Sequence, residues 1–87
     1  MKPATNSMIK ARVTVTLKSG VLDPQGKAIE GGLSSLGFDG VESVRQGKVF
    51  DIELKGSKSE AERMLTQMCE KLLANTVIED FHVDLVT

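Results

Sequence analysis

The sequence predicts a single α+β domain of the ferredoxin-like class, in which two helices cover one face of an antiparallel sheet. Three observations support this class. Segments of alternating polarity occur near both ends and in the middle of the chain, helical patterns separate them, and 87 residues suit one domain. The order β-α-β-β-α-β results, and right-handed crossovers give it the strand order 4-1-3-2.

The strands are predicted from period-two alternation. Residues 9–17 alternate most regularly, which is typical of a strand with one buried face. Residues 41–46 and 49–55 are predicted to form the second and third strands, joined as a hairpin by a short glycine turn. The last strand is predicted over 77–86.

The first helix is predicted from its ends and from its apolar face. Asp23 provides an N-cap acceptor, Pro24 fits the first turn, and Gly37 suits the left-handed position after the helix. Three glycines in this segment indicate close backbone packing, either on the sheet, which is the simpler interpretation, or against a partner: Gly26, Gly31 and Gly32. Four residues fall on one helical face: Ile29, Gly32, Leu33 and Leu36.

The second helix is predicted to begin at a capping box and to run to about residue 74. Two pairs fit the box: Ser57 with Glu60, and Ser59 with Glu62. The apolar stripe is expected to contain Ala61, Leu65, Met68 and Leu72, widened by Met64, Cys69 and Leu73.

Composition and charge disfavour several functions. The chain has 11 Lys and Arg against 12 Asp and Glu, so its charge of −1 gives no general attraction to nucleic acid. It has one cysteine and no apolar run of about 20 residues, the length that spans a bilayer. Residues 1–7 are interpreted as a flexible tail before a single domain over 8–87, and a cytoplasmic location is expected.

No residue pattern indicates catalysis, cofactor binding or a metal site. His82 has no predicted nucleophilic partner, so a solvent-facing or paired histidine is expected. Cys69 lacks a second cysteine and is expected to pack as a small hydrophobic residue. The glycines match neither a dinucleotide-binding motif nor a P-loop.

The uncovered face of the predicted sheet is polar, and two interpretations of it remain open. It is either a solvated face with ordinary cross-strand pairs, or a face on which two copies of the chain associate. The residues expected there are Arg12, Thr14, Asp51, Glu53, His82 and Asp84.

Three segments, taken in order and at their spacing, resemble the PurS family. They are residues 8–26, which hold the first strand and the Asp-Pro-Gln-Gly helix start, residues 41–48, and residues 69–81. The resemblance covers about 8–85. This chain differs in its seven-residue leader and in Thr76, where the family often has proline.

The resemblance implies a non-catalytic small subunit of phosphoribosylformylglycinamidine synthase, an ATP- and glutamine-dependent ligase of purine biosynthesis. Such a subunit forms homodimers or homotetramers, joins a large synthetase subunit to a glutaminase subunit, and supports internal transfer of ammonia. ATP and magnesium are expected on the large partner, and no cofactor, nucleic acid or membrane is expected for this chain. Two loops are implied as partner contacts: Asp23, Pro24, Gln25 and Gly26, and Arg45, Gln46, Gly47 and Lys48.

Two other functions are compatible with the fold class. An ACT-like regulatory module would bind a small molecule near the glycine-containing loop before the first helix. An RNA-binding domain would need aromatic residues on the open face, where this chain has polar and charged ones.

Overall fold

Three strands and two helices alternate along residues 8–86, the part of the chain that the computed structural model describes. Residues 1–7, interpreted above as a tail, and Thr87 lie outside that part. The elements are β1 (Met8–Leu17), α1 (Pro24–Ser35), β2 (Gly47–Lys55), α2 (Lys58–Met68) with a π-helical turn (Cys69–Leu73), and β3 (Glu79–Leu85).

The sheet is antiparallel, with β1 in the centre and β2 and β3 on either side. This order is the predicted one without its outermost strand. Arg12, in the middle of β1, lies opposite Asp51 of β2 and Asp84 of β3. The α+β class with an antiparallel sheet and two helices is confirmed.

The core lies between β1 and α2. Val13 and Val15 of β1 are fully buried, as are Leu65 and Cys69 of the second helix. The inward residues of the outer strands are half-buried around this centre: Phe50, Ile52, Leu54, Phe81, Val83 and Leu85. The central strand therefore has the most regular alternation in the sequence because it alone is flanked on both edges.

The second helix begins as predicted but buries a different stripe near its end. Ser57 and Glu60 form the capping box. The hydrogen bond from the Ala74 amide to the Cys69 carbonyl closes a π-helical turn. This turn takes up more residues than an α-helical turn, so the face that points at the sheet shifts along the chain. Leu72, predicted to be in the core, is 84% exposed, and Ala74 is buried in the core.

The predicted strand over 41–46, and with it the hairpin, is wrong. Residues 41–46 form no regular secondary structure and lie beside α1. The amides of Val44 and Gln46, which a strand would use for its ladder, donate instead to carboxylates of Glu30 and Asp23. Side-chain acceptors have thus replaced the backbone acceptors of a neighbouring strand.

The first helix has the predicted ends but not the predicted packing. Asp23 caps it, and Gly37 follows it with φ of 97°. Its only buried residue is Gly26, and it adds no side chain to the core. Ile29 and Leu36 are exposed, at 42% and 75%. The expectation that its glycines pack closely on the sheet is wrong: Gly31 and Gly32 face open space, and Gly26 faces residue 44.

Candidate interaction site

Two carboxylates of α1 hold the segment that precedes β2. The Gln46 amide donates to Asp23 Oδ2 at 2.9 Å, and the Val44 amide donates to Glu30 Oε2 at 2.8 Å. Asp23 Oδ1 meanwhile accepts from the Gly26 amide at 2.9 Å, which caps the helix. We call this arrangement, Asp23 and Glu30 on the amides of Gln46 and Val44, the clasp.

The clasp brings together the two loops predicted as partner contacts. Gln25 from the helix start and Gln46, Gly47 and Lys48 from the second loop line the same shallow depression, with Asp23 at its side. The two segments are far apart in the sequence, yet five of their eight residues line this depression: Asp23, Gln25, Gln46, Gly47 and Lys48. Pro24, Gln25 and Gln46 are exposed on it.

The environment of Asp23 favours its ionised carboxylate, the form that accepts hydrogen bonds from the two amides. The amide of Gln46, and then that of Gly26, hold the pKa of the Asp23 carboxyl below its ordinary value, and Arg45 adds to the effect. Hydrogen bonds from backbone N–H groups favour the ionised form of a carboxyl. Asp23 is therefore an anion that is already occupied by the chain's own amides, rather than a free acceptor for a ligand.

Two glycines of this surface allow the backbone to approach closely. A Cβ at Gly26 would lie 2.4 Å from the Val44 carbonyl oxygen and 2.6 Å from Asp23 Oδ2. A Cβ at Gly47 would lie 2.5 Å from the Val15 carbonyl oxygen. Any larger residue at either position must displace backbone, so the sequence needs glycine there for contact rather than for a turn.

The second predicted loop is only partly a loop, since Gly47 and Lys48 are the first residues of β2, and its two cations are also held by the chain itself. Arg45 donates through Nη2 to the Leu17 carbonyl at the end of β1. Lys48 Nζ lies 3.8 Å from Glu79 Oε2. The loop is thus fixed to β1, α1 and β3, and presents a defined shape rather than a loose basic spot.

The polar face of the sheet carries one pair between facing strands, Arg12 with Asp51, and one pair within β3, His82 with Asp84. Arg12 Nε donates to Asp51 Oδ1 at 2.9 Å, which raises the pKa of Arg12. His82 Nε2 lies 3.0 Å from Asp84 Oδ1. Both pairs are mostly exposed, so solvent screens them and neither is a main source of stability. Thr14 lies opposite His82, and Glu53 lies opposite Lys10 in the register. The structure brings all six predicted residues of this face together.

The single cysteine and the single histidine occupy the environments predicted for them. Cys69 is fully buried, and burial raises the pKa of its thiol. His82 is exposed and paired with Asp84. Among residues 8–86 no group of three acidic, histidine or cysteine side chains could hold a metal ion. In the same range, no helix has both the length and the apolar character to cross a membrane.

Glu30 was not identified from the sequence, although a signal for it exists. Asp23 and Glu30 are seven positions apart, which places them on one side of a helix two turns apart. Val44 and Gln46 are two positions apart, so in an extended segment their amides point the same way. The two spacings match only because the fold places the two segments side by side, and the sequence alone does not show that they are neighbours.

The family comparison decides what kind of chain carries this surface. The PurS family, described as phosphoribosylformylglycinamidine (FGAM) synthase, matches residues 10–87. The chain belongs to the PurS family. The predicted resemblance is confirmed over almost the whole domain.

Similar proteins of the PurS family share the full length of the domain. The phosphoribosylformylglycinamidine synthase subunit PurS of Bacillus subtilis is 44% identical over 77 residues, which cover 88% of this chain and 92% of that protein. The PurS subunit of Mycobacterium leprae is 47% identical over 76 residues, covering 87% and 94%.

Solved PurS structures share the fold. B. subtilis PurS in its C2 crystal form superposes with a TM-score of 0.84 at 42% identity, covering 91% of this chain and 99% of that one. A chain of the Thermotoga maritima PurLQS structure also gives 0.84, at 31% identity, covering 91% and 98%. These similarities give no support to the ACT-like alternative.

Proposed function

We propose that this chain is the non-catalytic small subunit of phosphoribosylformylglycinamidine synthase, acting in purine biosynthesis. The observation that carries the proposal is the match to PurS subunits over nearly the whole length of both proteins. The T. maritima PurLQS structure, which contains a chain of the same fold, supports a role within a larger assembly.

In this role the chain joins a large synthetase subunit to a glutaminase subunit and supports the transfer of ammonia between them. ATP and magnesium belong to the large partner and glutamine to the glutaminase, and the assembly works in the cytoplasm. The surface held by the clasp fits a subunit that binds partners and leaves the chemistry to them. Its best-ordered polar groups bind the chain's own backbone, as Asp23, Glu30 and Arg45 do.

The surface that meets the partner subunits is proposed to be the one held by the clasp. It combines both predicted loops, it is exposed, and its shape is fixed by three neighbouring elements. A surface already ordered before binding loses less conformational entropy when a partner covers it.

Self-association, as a homodimer or homotetramer, is proposed to bury α1. Within the helix Ile29 is 42% exposed and Leu33 is half-buried, and the apolar residues that flank the helix are more exposed: Leu22 at 71%, Leu36 at 75% and Phe38 at 57%. Covering a side chain of this size contributes about 1.5–3 kcal/mol. A second copy offers the same exposed helix, so a two-fold arrangement covers both at once. The polar face of the sheet remains the other predicted self-association surface.

The test is reconstitution with the large synthetase and glutaminase subunits of the same organism. Product formation is measured with glutamine and, separately, with free ammonia, each with and without this chain. The proposal expects the chain to be required with glutamine and dispensable with ammonia. A glutamine-dependent rate that is the same without the chain, together with no co-elution of the chain with the two partners, would reject the bridging role.

A further inference from the structure

The clasp connects two surfaces that have different proposed partners. Asp23 and Glu30 belong to the capped start and the third turn of α1, whose apolar side is proposed to bury against a second copy. Gln46 belongs to the loop proposed to meet the other subunits, and Val44 lies two residues before it. Arg45 also donates to the Leu17 carbonyl of β1, whereas Gly47 and Lys48 are already residues of β2 and pair with Thr16 and Val15.

The arrangement is specific in its geometry. Two carboxylates two turns apart on the helix match two amides two residues apart on the loop, at 2.9 and 2.8 Å. Gly26 lies between the carboxylates and lets the Val44 carbonyl approach to a distance that no side chain would permit. Gly26 is the one buried residue of α1, whereas Gly31 and Gly32 on the same helix face open space.

We propose that Asp23, Glu30 and Gly26 are positioning residues, which set the partner-contact loop by tying it to α1. The loop follows the helix because its amides have the helix carboxylates as acceptors. Covering α1 in the homo-oligomer therefore also fixes the loop that the other subunits contact. The inference rests on the proposed function and adds to it the residues that shape the contact surface.

The test uses a steric wedge with a matched control on the same helix. Gly26→Ala pushes the Val44 carbonyl away without changing charge, and alanine favours the helix itself. Gly31→Ala makes the same chemical change where nothing lies within 4 Å. Asp23→Asn and Glu30→Gln open the clasp by a second route, and Lys27→Gln controls for the loss of the Lys27–Glu30 pair.

Two measurements are made on each variant. Hydrogen exchange of the free chain reports the amides of Val44 and Gln46, with Val13 as the reference in the sheet. Titration of the chain into the two partner subunits gives the concentration for half-maximal glutamine-dependent activity and, separately, the maximum. For Gly26→Ala and Asp23→Asn we expect exchange of the loop amides to rise about tenfold and the half-maximal concentration to rise about tenfold. The maximum glutamine-dependent activity and the exchange rate of the Val13 amide should stay as in the parent chain. In Gly31→Ala, every measured quantity should stay as in the parent chain.

The outcomes separate this inference from the proposed function. If the parent chain does not stimulate glutamine-dependent activity, the proposed function fails, and the inference fails with it. If the parent chain does stimulate it, and the variants release the loop amides but keep the parent's half-maximal concentration, the positioning role alone is overturned. Unchanged exchange of Val44 and Gln46 in both Gly26→Ala and Asp23→Asn would also overturn it.

Discussion

At the scale of single residues, Asp23 has two tasks that a sequence motif does not distinguish. One carboxylate oxygen caps α1 through the Gly26 amide, and the other accepts from the Gln46 amide of a distant loop. A cap stabilises only its own helix, whereas the second bond adds a tertiary constraint. Because both amides donate to the ionised carboxyl, protonation of Asp23 weakens the helix cap and the tertiary hydrogen bond over the same pH range.

Asp23 should therefore stabilise the fold fully above the ordinary pKa of a carboxyl and progressively less below it. Its pKa is lowered in the folded chain, so its contribution is complete above the unfolded value of about 3.9 and is lost as pH falls through the folded value. The free energy of unfolding of the parent chain and of Asp23→Asn is measured from pH 2 to pH 7. We expect the parent to be more stable above about pH 5 and the difference to shrink below about pH 4.

The control for this prediction is Asp39→Asn, which removes the same charge from an exposed residue outside the clasp. A difference between the parent and Asp23→Asn that stays constant down to the acid limit would show that the carboxylate charge has no role. A comparable pH dependence in Asp39→Asn would show that overall charge, rather than the clasp, is responsible.

At the scale of elements, the end of the second helix shows how one turn can change the core. The stripe through Ala61 and Leu65 continues to Cys69 as an α-helix. The π-helical turn then brings Leu73 and Ala74 toward the sheet and sends Leu72 outward. The residue type of Leu72 suits the core, but its position on the helix does not.

This difference predicts unequal costs for the same substitution at two leucines of the second helix. Leu65 is fully buried and Leu72 is 84% exposed. Leu65→Ala should lower the free energy of unfolding by about 2–5 kcal/mol, since it removes buried methyl groups and leaves a cavity. Leu72→Ala should change it by less than about 0.5 kcal/mol. Urea unfolding at one fixed protein concentration makes the comparison independent of self-association.

Comparable destabilisation by the two substitutions would contradict the π-helical turn and would favour the regular stripe that the sequence predicts. Met64→Ala gives an intermediate reference, because Met64 is 39% exposed on the preceding turn.

At the scale of the whole molecule, the described chain has a well-formed core on one side only. α2 covers β1, whereas α1 contributes no side chain to the core, and large apolar residues at its two ends are exposed. Contiguous exposed apolar surface favours association. We therefore propose that another copy covers this helix.

Self-association should therefore depend on the apolar side of α1. Leu36→Ser and Phe38→Ser, separately and together, replace exposed apolar residues at the end of this helix. We expect the parent chain to have the mass of a dimer or tetramer by light scattering, and the double variant to dissociate at a concentration at least about tenfold higher, as the loss of a well-packed contact predicts.

Leu72→Ser is the matched control, since it makes the same change at an exposed leucine of the other helix. A monomeric parent chain would reject the proposal. An unchanged assembly in the double variant, combined with dissociation in Arg12→Gln, would assign self-association to the polar face of the sheet instead.

The sequence by itself determined every element whose boundaries are local. The alternation of β1, the Asp23-Pro24 start of α1, the Ser57 and Glu60 capping box and the buried Cys69 follow from neighbouring residues, and all are present. The three family segments were also local, and they sufficed to identify the family.

Tertiary structure alone decided where residues 41–46 lie and that α1 adds no side chain to the core. The sequence of residues 41–46 was compatible with a weak strand. A strand also needs backbone acceptors on a neighbour, and here the amides of Gln46 and Val44 donate to Asp23 and Glu30 instead. The apolar residues of α1 likewise predict that another surface covers them. They do not predict which surface, because the hydrophobic effect is non-directional. Both outcomes depend on which groups meet across the chain, and that is decided only when the whole chain has folded.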